Sequence, residues 1–298
     1  MTYSVAAFYR FVAVDDPQAE RDELDAFCRE AGLIGTILLA HEGINGTVAG
    51  AAASIHELLS RLGERLGLSD RDIKRSETEI APFKRLRVRV RPEIITMRAS
   101  EADPAQRTGR HVSAVEWNEL IANPDVLILD TRNRYETVIG TFERAIVPPI
   151  DQFTEFKDFV DRELDPGKHQ QIAMFCTGGI RCEKASAYML ARGFAEVMQL
   201  DGGILRYLED VPSGASRWKG DCFVFDGRTA LGADLSHGRW ESCFGCGGPV
   251  GETERASDRY EAGVSCPRCH ATLTPDRAER LRRRHRDLRR GIGSRDET

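Results

Sequence analysis

Gln171-Ile172-Ala173-Met174-Phe175-Cys176-Thr177-Gly178-Gly179-Ile180-Arg181-Cys182-Glu183-Lys184-Ala185 runs from an apolar segment into a glycine-bearing loop. It then enters a helical pattern with apolar residues at Ala187, Tyr188, Leu190 and Ala191. The reading is a buried strand, a tight loop and the start of a helix, the repeating unit of a parallel sheet. Val126–Leu129, Ala145–Ile150 and Glu196–Leu200 are predicted as further strands, alternating with helices near 154–164 and 182–192. Such a rhythm implies a sheet covered by helices on both faces. Asp130-Thr131-Arg132-Asn133 and Cys176 both fall just past the carboxyl ends of strands, where open α/β sheets place their sites. Gly178 and Gly179 let the loop curl so that successive N–H groups point inward. Those donors, the helix N-terminus and Arg181 favour negative charge on Cys176, and such surroundings bring a thiol from ~8.5 into roughly the 3.5–7.5 range.

Ahead of this unit, residues 4–14 read as a strand, and Asp16 caps a helix with Pro17 at its first position. Ile34–Ala40 is a second strand. Asn45-Gly46 signals a hairpin turn, Thr47–Ala49 returns as a third strand, and a helix spans Ser54 to about Leu66. Lys84–Arg91 is a last strand in which Leu86, Val88 and Val90 alternate with Arg85, Arg87, Arg89 and Arg91. The order β-α-β-β-α-β suggests a ferredoxin-like α+β domain. The arginine face is either a solvated edge or a surface for a phosphate backbone. Polar, Pro-bearing residues 99–110 form a linker, and Ser113 with Glu116 makes a capping-box pattern before Trp117. The expected division is 1–98, linker 99–110, a parallel α/β domain over 111–215, a cysteine-rich extension over 216–275 and an arginine-rich tail over 276–298.

The chain has 298 residues, 41% hydrophobic and 30% charged, which suits two or three domains of ordinary composition. No apolar window is long enough for a membrane span, and Met1–Phe8 reads as a first strand, not a secretory signal. The net charge of −5 argues against a generic nucleic-acid binder, and neither DNA nor a membrane is expected as partner. The charge is unevenly spread. Residues 74–91 hold seven Lys/Arg against Glu77 and Glu79, and residues 277–290 hold eight arginines against Glu279 and Asp287. Eight cysteines in a chain of this size suit a reducing cytoplasm better than a disulfide framework.

Cys243-x-x-Cys246 and Cys266-x-x-Cys269 are separated by nineteen residues. Four thiolates on two knuckles supply a closed tetrahedral set for structural Zn2+, the alternative being a reducible thiol set. Cys182, six residues after Cys176, is either a packing residue or a resolving thiol. Trp117, Trp218 and Trp240 read as packing residues.

Four residues separate Cys176 from Arg181, one fewer than in cysteine-dependent phosphatases, and the loop resembles that of the rhodaneses. Glu42-Gly43-Ile44-Asn45-Gly46-Thr47, the Asp130–Glu136 segment, the Cys176–Ala185 loop and the two C-x2-C pairs follow in one order. Together they resemble the bacterial rhodanese-domain tRNA uridine hydroxylases. That resemblance implies an acylphosphatase-like first domain, a rhodanese domain and a cysteine-rich extension. It implies oxygen-dependent 5-hydroxylation of the wobble uridine, with the tRNA anticodon region as partner and molecular oxygen as co-substrate. A rhodanese loop alone predicts sulfur transfer through a persulfide, the competing activity. Cys176 is expected as the catalytic thiolate, held by Arg181, with Asp130 and Glu136 orienting the loop. Arg132, Thr177, Gly178, Gly179, Ile180, Lys84, Arg85, Arg87 and Arg89 are expected to contact substrate.

Overall fold

The structure is a computed structural model and describes residues 2–293. The first domain runs β1 (Tyr3–Phe11), α1 (Pro17–Glu30), β2 (Ile34–Ala40), β3 (Gly43–Gly50), α2 (Ala52–Leu66), β4 (Ile73–Thr78) and β5 (Leu86–Val90). Its sheet has the order β4-β1-β3-β2-β5. The first four strands make the ferredoxin-like sheet, and β5 adds a fifth strand parallel to β2. The fourth strand is therefore β4, which sequence reading passed over, and the segment expected as the last strand is the added one.

Strand alternation gives this sheet two different faces. Ala6, Phe8, Ile37, Leu39, Ile44, Val48, Ile73 and Val88 pack with Leu24, Cys28, Leu58 and Leu62 of α1 and α2 in one core. Ala7, Tyr9, Thr36, Leu38, Asn45, Thr47 and Lys74 line a cavity with residues of the Cys176 loop. The Asn45-Gly46 hairpin expectation is corrected. The chain turns at His41-Glu42, and Asn45 and Gly46 lie within β3, paired with Tyr9 and Phe8. Gly46 is needed for space, because a Cβ there would sit 2.8 Å from the Phe8 ring.

The second domain runs β6 (Arg110–Val112), α3 (Ala114–Ala122), β7 (Val126–Asp130), α4 (Arg134–Thr137), β8 (Gly140–Phe142), α5 (Phe156–Glu163), β9 (Gln171–Phe175), α6 (Ile180–Ala191), β10 (Glu196–Leu200) and α7 (Gly203–Asp210). β6-β10-β9-β7 form a parallel sheet. Ile172 and Met174 pack with Phe156, Phe159, Tyr188 and Met189 of α5 and α6. Ala173 and Phe175 pack with Trp117, Ile121, Ile204 and Tyr207 of α3 and α7. The expected strand 145–150 does not form beyond a single bridge between Leu129 and Ile146, since Pro148 and Pro149 cannot donate to a ladder. In the expected linker, Ala102 packs into the core under α5 and α6.

Short strands β11 (Trp218–Gly220), β12 (Cys222–Phe223), β13 (Ala230–Leu231), β14 (Glu241–Ser242) and β15 (Pro249–Val250), then α8 (Glu252–Arg255) and α9 (Pro275–Gly293), make up the extension. β11 pairs with β8, so the extension is stitched to the second domain. Trp218 and Trp117 bury in one aromatic cluster around Phe142. The tail expected over 276–298 is helical through Gly293, and its last five residues lie outside the described residues.

Polar contacts lock the two domains together. Lys184 of α6 is 2% exposed and pairs with Glu42 at 2.8 Å and Glu93 at 2.5 Å, both from the first domain. Glu183 accepts from Tyr9 Oη of β1 at 3.3 Å and from Thr108 Oγ1 at 2.7 Å, and contacts His111 Nε2 at 3.0 Å.

Candidate active site

Cys176 directly follows β9 and Ile180 opens α6, so the intervening loop is held at both ends by regular structure. Gly179 takes φ +101°, a conformation side chains disfavour, and turns its N–H onto Cys176 Sγ at 3.1 Å. Gly203 at the start of α7 lies against the loop, where a Cβ would come 2.6 Å from the Cys176 carbonyl oxygen. Ile204 and Leu205 donate to the carbonyls of Cys176 and Thr177 at 3.0 and 3.1 Å. Burial alone drives a thiol upward. Here the Cys182 thiol, the Arg181 charge and the N–H groups of Arg181 and Cys182 outweigh it and bring Cys176 down to about 5. Cys182 moves the opposite way, raised by its own burial and by the charge on Cys176. The two sulfurs titrate in opposite directions, with Cys182 Sγ lying 3.6 Å from Thr131 Oγ1.

Arg181 is clamped by Glu136 at 2.6 and 2.8 Å, and both side chains are at most 5% exposed. Glu136 also accepts from the Asn133 N–H at 3.1 Å, which ties α4 to the loop. Asp130 and Arg132 form a second fully buried pair at 2.6 and 2.9 Å, with Arg132 also donating to the Gly140 carbonyl at 2.7 Å. Arg132, expected as a substrate contact, is therefore fully buried and absent from the cavity lining.

The cavity beside the loop has a volume of about 460 Å³. Cys176, Thr177, Gly178, Ile180 and Arg181 form one wall, and β1, β2, β3 and β4 supply another through Ala7, Tyr9, Thr36, Leu38, Asn45, Thr47 and Lys74. Val224, Phe225, Asp226 and Arg228 of the extension complete it. Arg228 pairs with Asp226 at 2.6 Å and reaches Ser76 of β4 at 2.9 Å, so the extension is pinned to the first domain. Gly179 backs the loop without lining the cavity.

Thr36, Phe83, Phe225 and Asp226 border both this cavity and a second, open groove of about 510 Å³. Lys84, Arg85 and Arg87 line the groove, joined by Arg284 of α9. Arg89 is exposed further along β5 and outside the groove lining. Phe225 is 62% exposed where the cavity meets the groove, with the Arg181 guanidinium carbon 5.7 Å from its ring centre. Lys74, Tyr9, Phe225 and Arg284 were missed as site residues. The basic blocks 74–91 and 277–290 hold Lys74 and Arg284, and Phe223-Val224-Phe225 holds Phe225, while nothing in the sequence points to Tyr9.

The four extension sulfurs lie within 4.8 Å of one another. Cys243–Cys269, Cys246–Cys266 and Cys266–Cys269 are 3.8, 3.7 and 3.9 Å apart. A tetrahedral thiolate set with Zn–S near ~2.3 Å has sulfurs about 3.8 Å apart. The donor set therefore fits zinc, and no histidine joins it among the described residues.

A model of the UPF0176 acylphosphatase-like domain matches residues 3–94, and one of the rhodanese-like domain matches residues 113–210. A protein of Teredinibacter turnerae named tRNA uridine(34) hydroxylase is 46% identical over 286 residues, covering 96% of this chain and 89% of that protein. The chain belongs to the tRNA uridine(34) hydroxylase family. Among solved structures, the rhodanese-like domain from Anabaena sp. is 20% identical with a TM-score of 0.31, covering 38% of this chain and 80% of that one. An acylphosphatase from Coxiella burnetii is 20% identical with a TM-score of 0.24, covering 30% of this chain and 93% of that one.

Proposed function

We propose that this protein hydroxylates C5 of the wobble uridine of tRNA, with molecular oxygen as co-substrate and Cys176 as the catalytic nucleophile. The observation that carries the reading is the cavity holding a stabilised thiolate and adjoining, past Phe83 and Phe225, a groove of basic side chains. Enzymes that act on a base take it out of its stack into a fitted pocket, while the phosphate backbone stays on a cationic surface. About 460 Å³ falls within the ~300–1,000 Å³ of small-ligand sites. In this reading the anticodon loop lies along Lys84, Arg85, Arg87 and Arg284, and its uridine enters beside Cys176.

The Cys176 thiolate adds to C6 of the uracil ring, which makes C5 electron-rich toward oxygen. Glu136 holds Arg181 in place, and Arg181 with the loop amides holds the thiolate. Insertion of one oxygen atom leaves the other to be reduced to water, so an external two-electron donor is part of the reaction. Sulfur transfer through a persulfide at the same cysteine is the alternative, and family membership favours hydroxylation over it.

Zinc on Cys243, Cys246, Cys266 and Cys269 would serve structurally. It would offset half of the four thiolate charges and brace a segment poor in apolar residues. Arg268 and Arg277 reach this knot, at Cys246 Sγ (3.0 Å) and the Gly245 carbonyl (2.8 Å), which fixes the start of α9. Eight cysteines without a disulfide, and no described helix long and apolar enough to cross a membrane, support action in the cytoplasm.

The test is nucleoside mass spectrometry of uridine-34 tRNA incubated in air with reductant and either the wild-type protein or Cys176→Ala. The expected outcome is 5-hydroxyuridine at position 34 with the first and none with the second. Equal product from both defeats the proposal.

A further inference from the structure

Lys74 sits in β4 beside Ala7 of β1, on the sheet face turned to the Cys176 loop. It is 8% exposed, and its Nζ lies 4.7 Å from the centre of the Tyr9 ring. The other cations lining the cavity are neutralised within it, Arg181 by Glu136 and Arg228 by Asp226. The Lys74 backbone belongs to the β1–β4 ladder, but its ammonium makes no ion pair or hydrogen bond with another described residue. A buried ammonium without a carboxylate is unfavourable unless the site's ligand supplies the acceptor.

We propose that Lys74 is a catalytic residue whose ammonium binds the C4 carbonyl oxygen of the uracil ring and stabilises the enolate formed when Cys176 adds to C6. This rests on the reading of Cys176 as a nucleophile. In the step, the Cys176 Sγ–C6 bond forms and the C5=C6 electron pair moves through C4 onto O4. O4 takes a proton from Lys74, which is left as a neutral amine. Reversal returns the proton and expels the thiolate, so no oxidant or reductant is consumed. Preorganised donors at the atom where charge develops are the strongest catalytic device such a cavity offers.

The titration of Lys74 suits the role. Burial, together with the Arg206 charge, brings it down to about 8, against the opposing pull of Asp201, Cys176 and Asp72. Glu209 of α7 and Arg228 of the extension also face it.

Addition at C6 makes C5 nucleophilic, so without oxygen C5 takes a deuteron from solvent, gives its original hydrogen as a proton to a solvent base and then releases the thiolate from C6. The step is read as exchange of that hydrogen for deuterium. Wild type in anaerobic deuterium oxide should exchange the C5 hydrogen of the target uridine and should hydroxylate it in air. Lys74→Met should lose about 10²–10⁴-fold in both while tRNA affinity holds within a few fold. Lys74→Arg should recover part of the exchange. Its profile should keep the acid limb near pH 5 set by Cys176 but lose the alkaline limb near pH 8. Wild-type rates in a folded Lys74→Met protein, or an alkaline limb unmoved in Lys74→Arg, overturn the role of Lys74. Hydroxylation by wild type without exchange overturns the addition step and this role with it. Absence of hydroxylation by wild type is a different failure, that of the function proposed above.

Discussion

Neutralising the Glu136–Arg181 pair separates the two sources of thiolate stabilisation at Cys176. With both partners at most 5% exposed and bonded at 2.6 and 2.8 Å, either single change leaves a buried charge alone. Arg181→Gln or Glu136→Gln should therefore cost about 3–5 kcal/mol of stability. The double variant leaves two amides facing each other and should recover most of that. The thiol follows charge. An adjacent guanidinium is worth roughly 1–3 units, so Arg181→Gln should raise Cys176 from about 5 to about 6–8. At pH 6 its ionised fraction then falls from about 90% to between about 50% and 1%. Glu136→Gln should lower it further. In the double variant the two effects offset, and the Gly179, Arg181 and Cys182 N–H groups with the Cys182 thiol should hold it below about 8. The assay is ultraviolet thiolate absorbance against pH, each protein measured as the difference from its Cys176→Ala counterpart. A double variant titrating near ~8.5, like a free thiol, would refute the reasoning, because the loop amides would then contribute nothing.

The Cys176 value lies below that of an unfolded thiol, so its contribution to stability is full above ~8.5 and vanishes as pH falls through about 5. The stability gap between wild type and Cys176→Ala in urea titrations should therefore widen from pH 5 to 8, by at most about 1.4 kcal/mol per unit. Gly179→Ala places a Cβ 2.6 Å from Tyr9 Oη at φ +101°, so a loss of about 1–3 kcal/mol and displacement of Tyr9 are expected, seen in the melting midpoint. Lys184→Met leaves Glu42 and Glu93 facing each other without their cation. Because both carboxylates are partly exposed, about 3 kcal/mol is expected, with greater proteolysis between the domains. Removing Arg85 or Arg87 should weaken tRNA binding and reduce its salt slope by about 0.7–0.9 for each phosphate left without its cation. A chelator strong enough to strip the four-cysteine site should unfold the extension, and metal analysis of the native protein should return about one zinc per chain.

Sequence reading succeeded where a local pattern has one physical meaning. The apolar strands at Val126–Asp130, Gln171–Phe175 and Glu196–Leu200, the capped helix at Asp16, the loop after Cys176 and the clustering of the C-x2-C pairs form as their chemistry dictates. It failed where partners distant in the chain decide. β4 is Ile-Lys-Arg-Ser-Glu-Thr, polar by composition, and becomes a strand because β1 offers it a ladder. Asn45-Gly46 has turn chemistry, but Phe8 from the neighbouring strand uses the glycine as space. Arg132 follows β7, where a substrate contact is expected, yet it is fully buried, with Nε and Nη2 held by Asp130 and the Gly140 carbonyl and Nη1 left without a partner. Lys74 counts in the sequence only as one member of the basic block 74–91, because nothing in its neighbourhood along the chain says which wall it joins.

The sheet face that α1 and α2 leave bare explains why this loop is not simply a sulfur carrier. A rhodanese loop on its own presents a small cradle to solvent. Here Ala7, Thr36, Leu38 and Thr47 cover that cradle with a weakly polar wall, and Val224 and Phe225 close a further side. Cys176 is buried and meets open space only at the cavity, so its low titration point should not translate into fast reaction with bulky alkylating reagents. A flat ring delivered from the groove past Phe225 is the shape such a slot admits. Comparing a bulky maleimide with a slim reagent such as methyl methanethiosulfonate would separate ionisation from access. Both reacting at the free-thiolate rate would mean that the sheet wall does not guard the site, and the argument for a base-sized slot would fall.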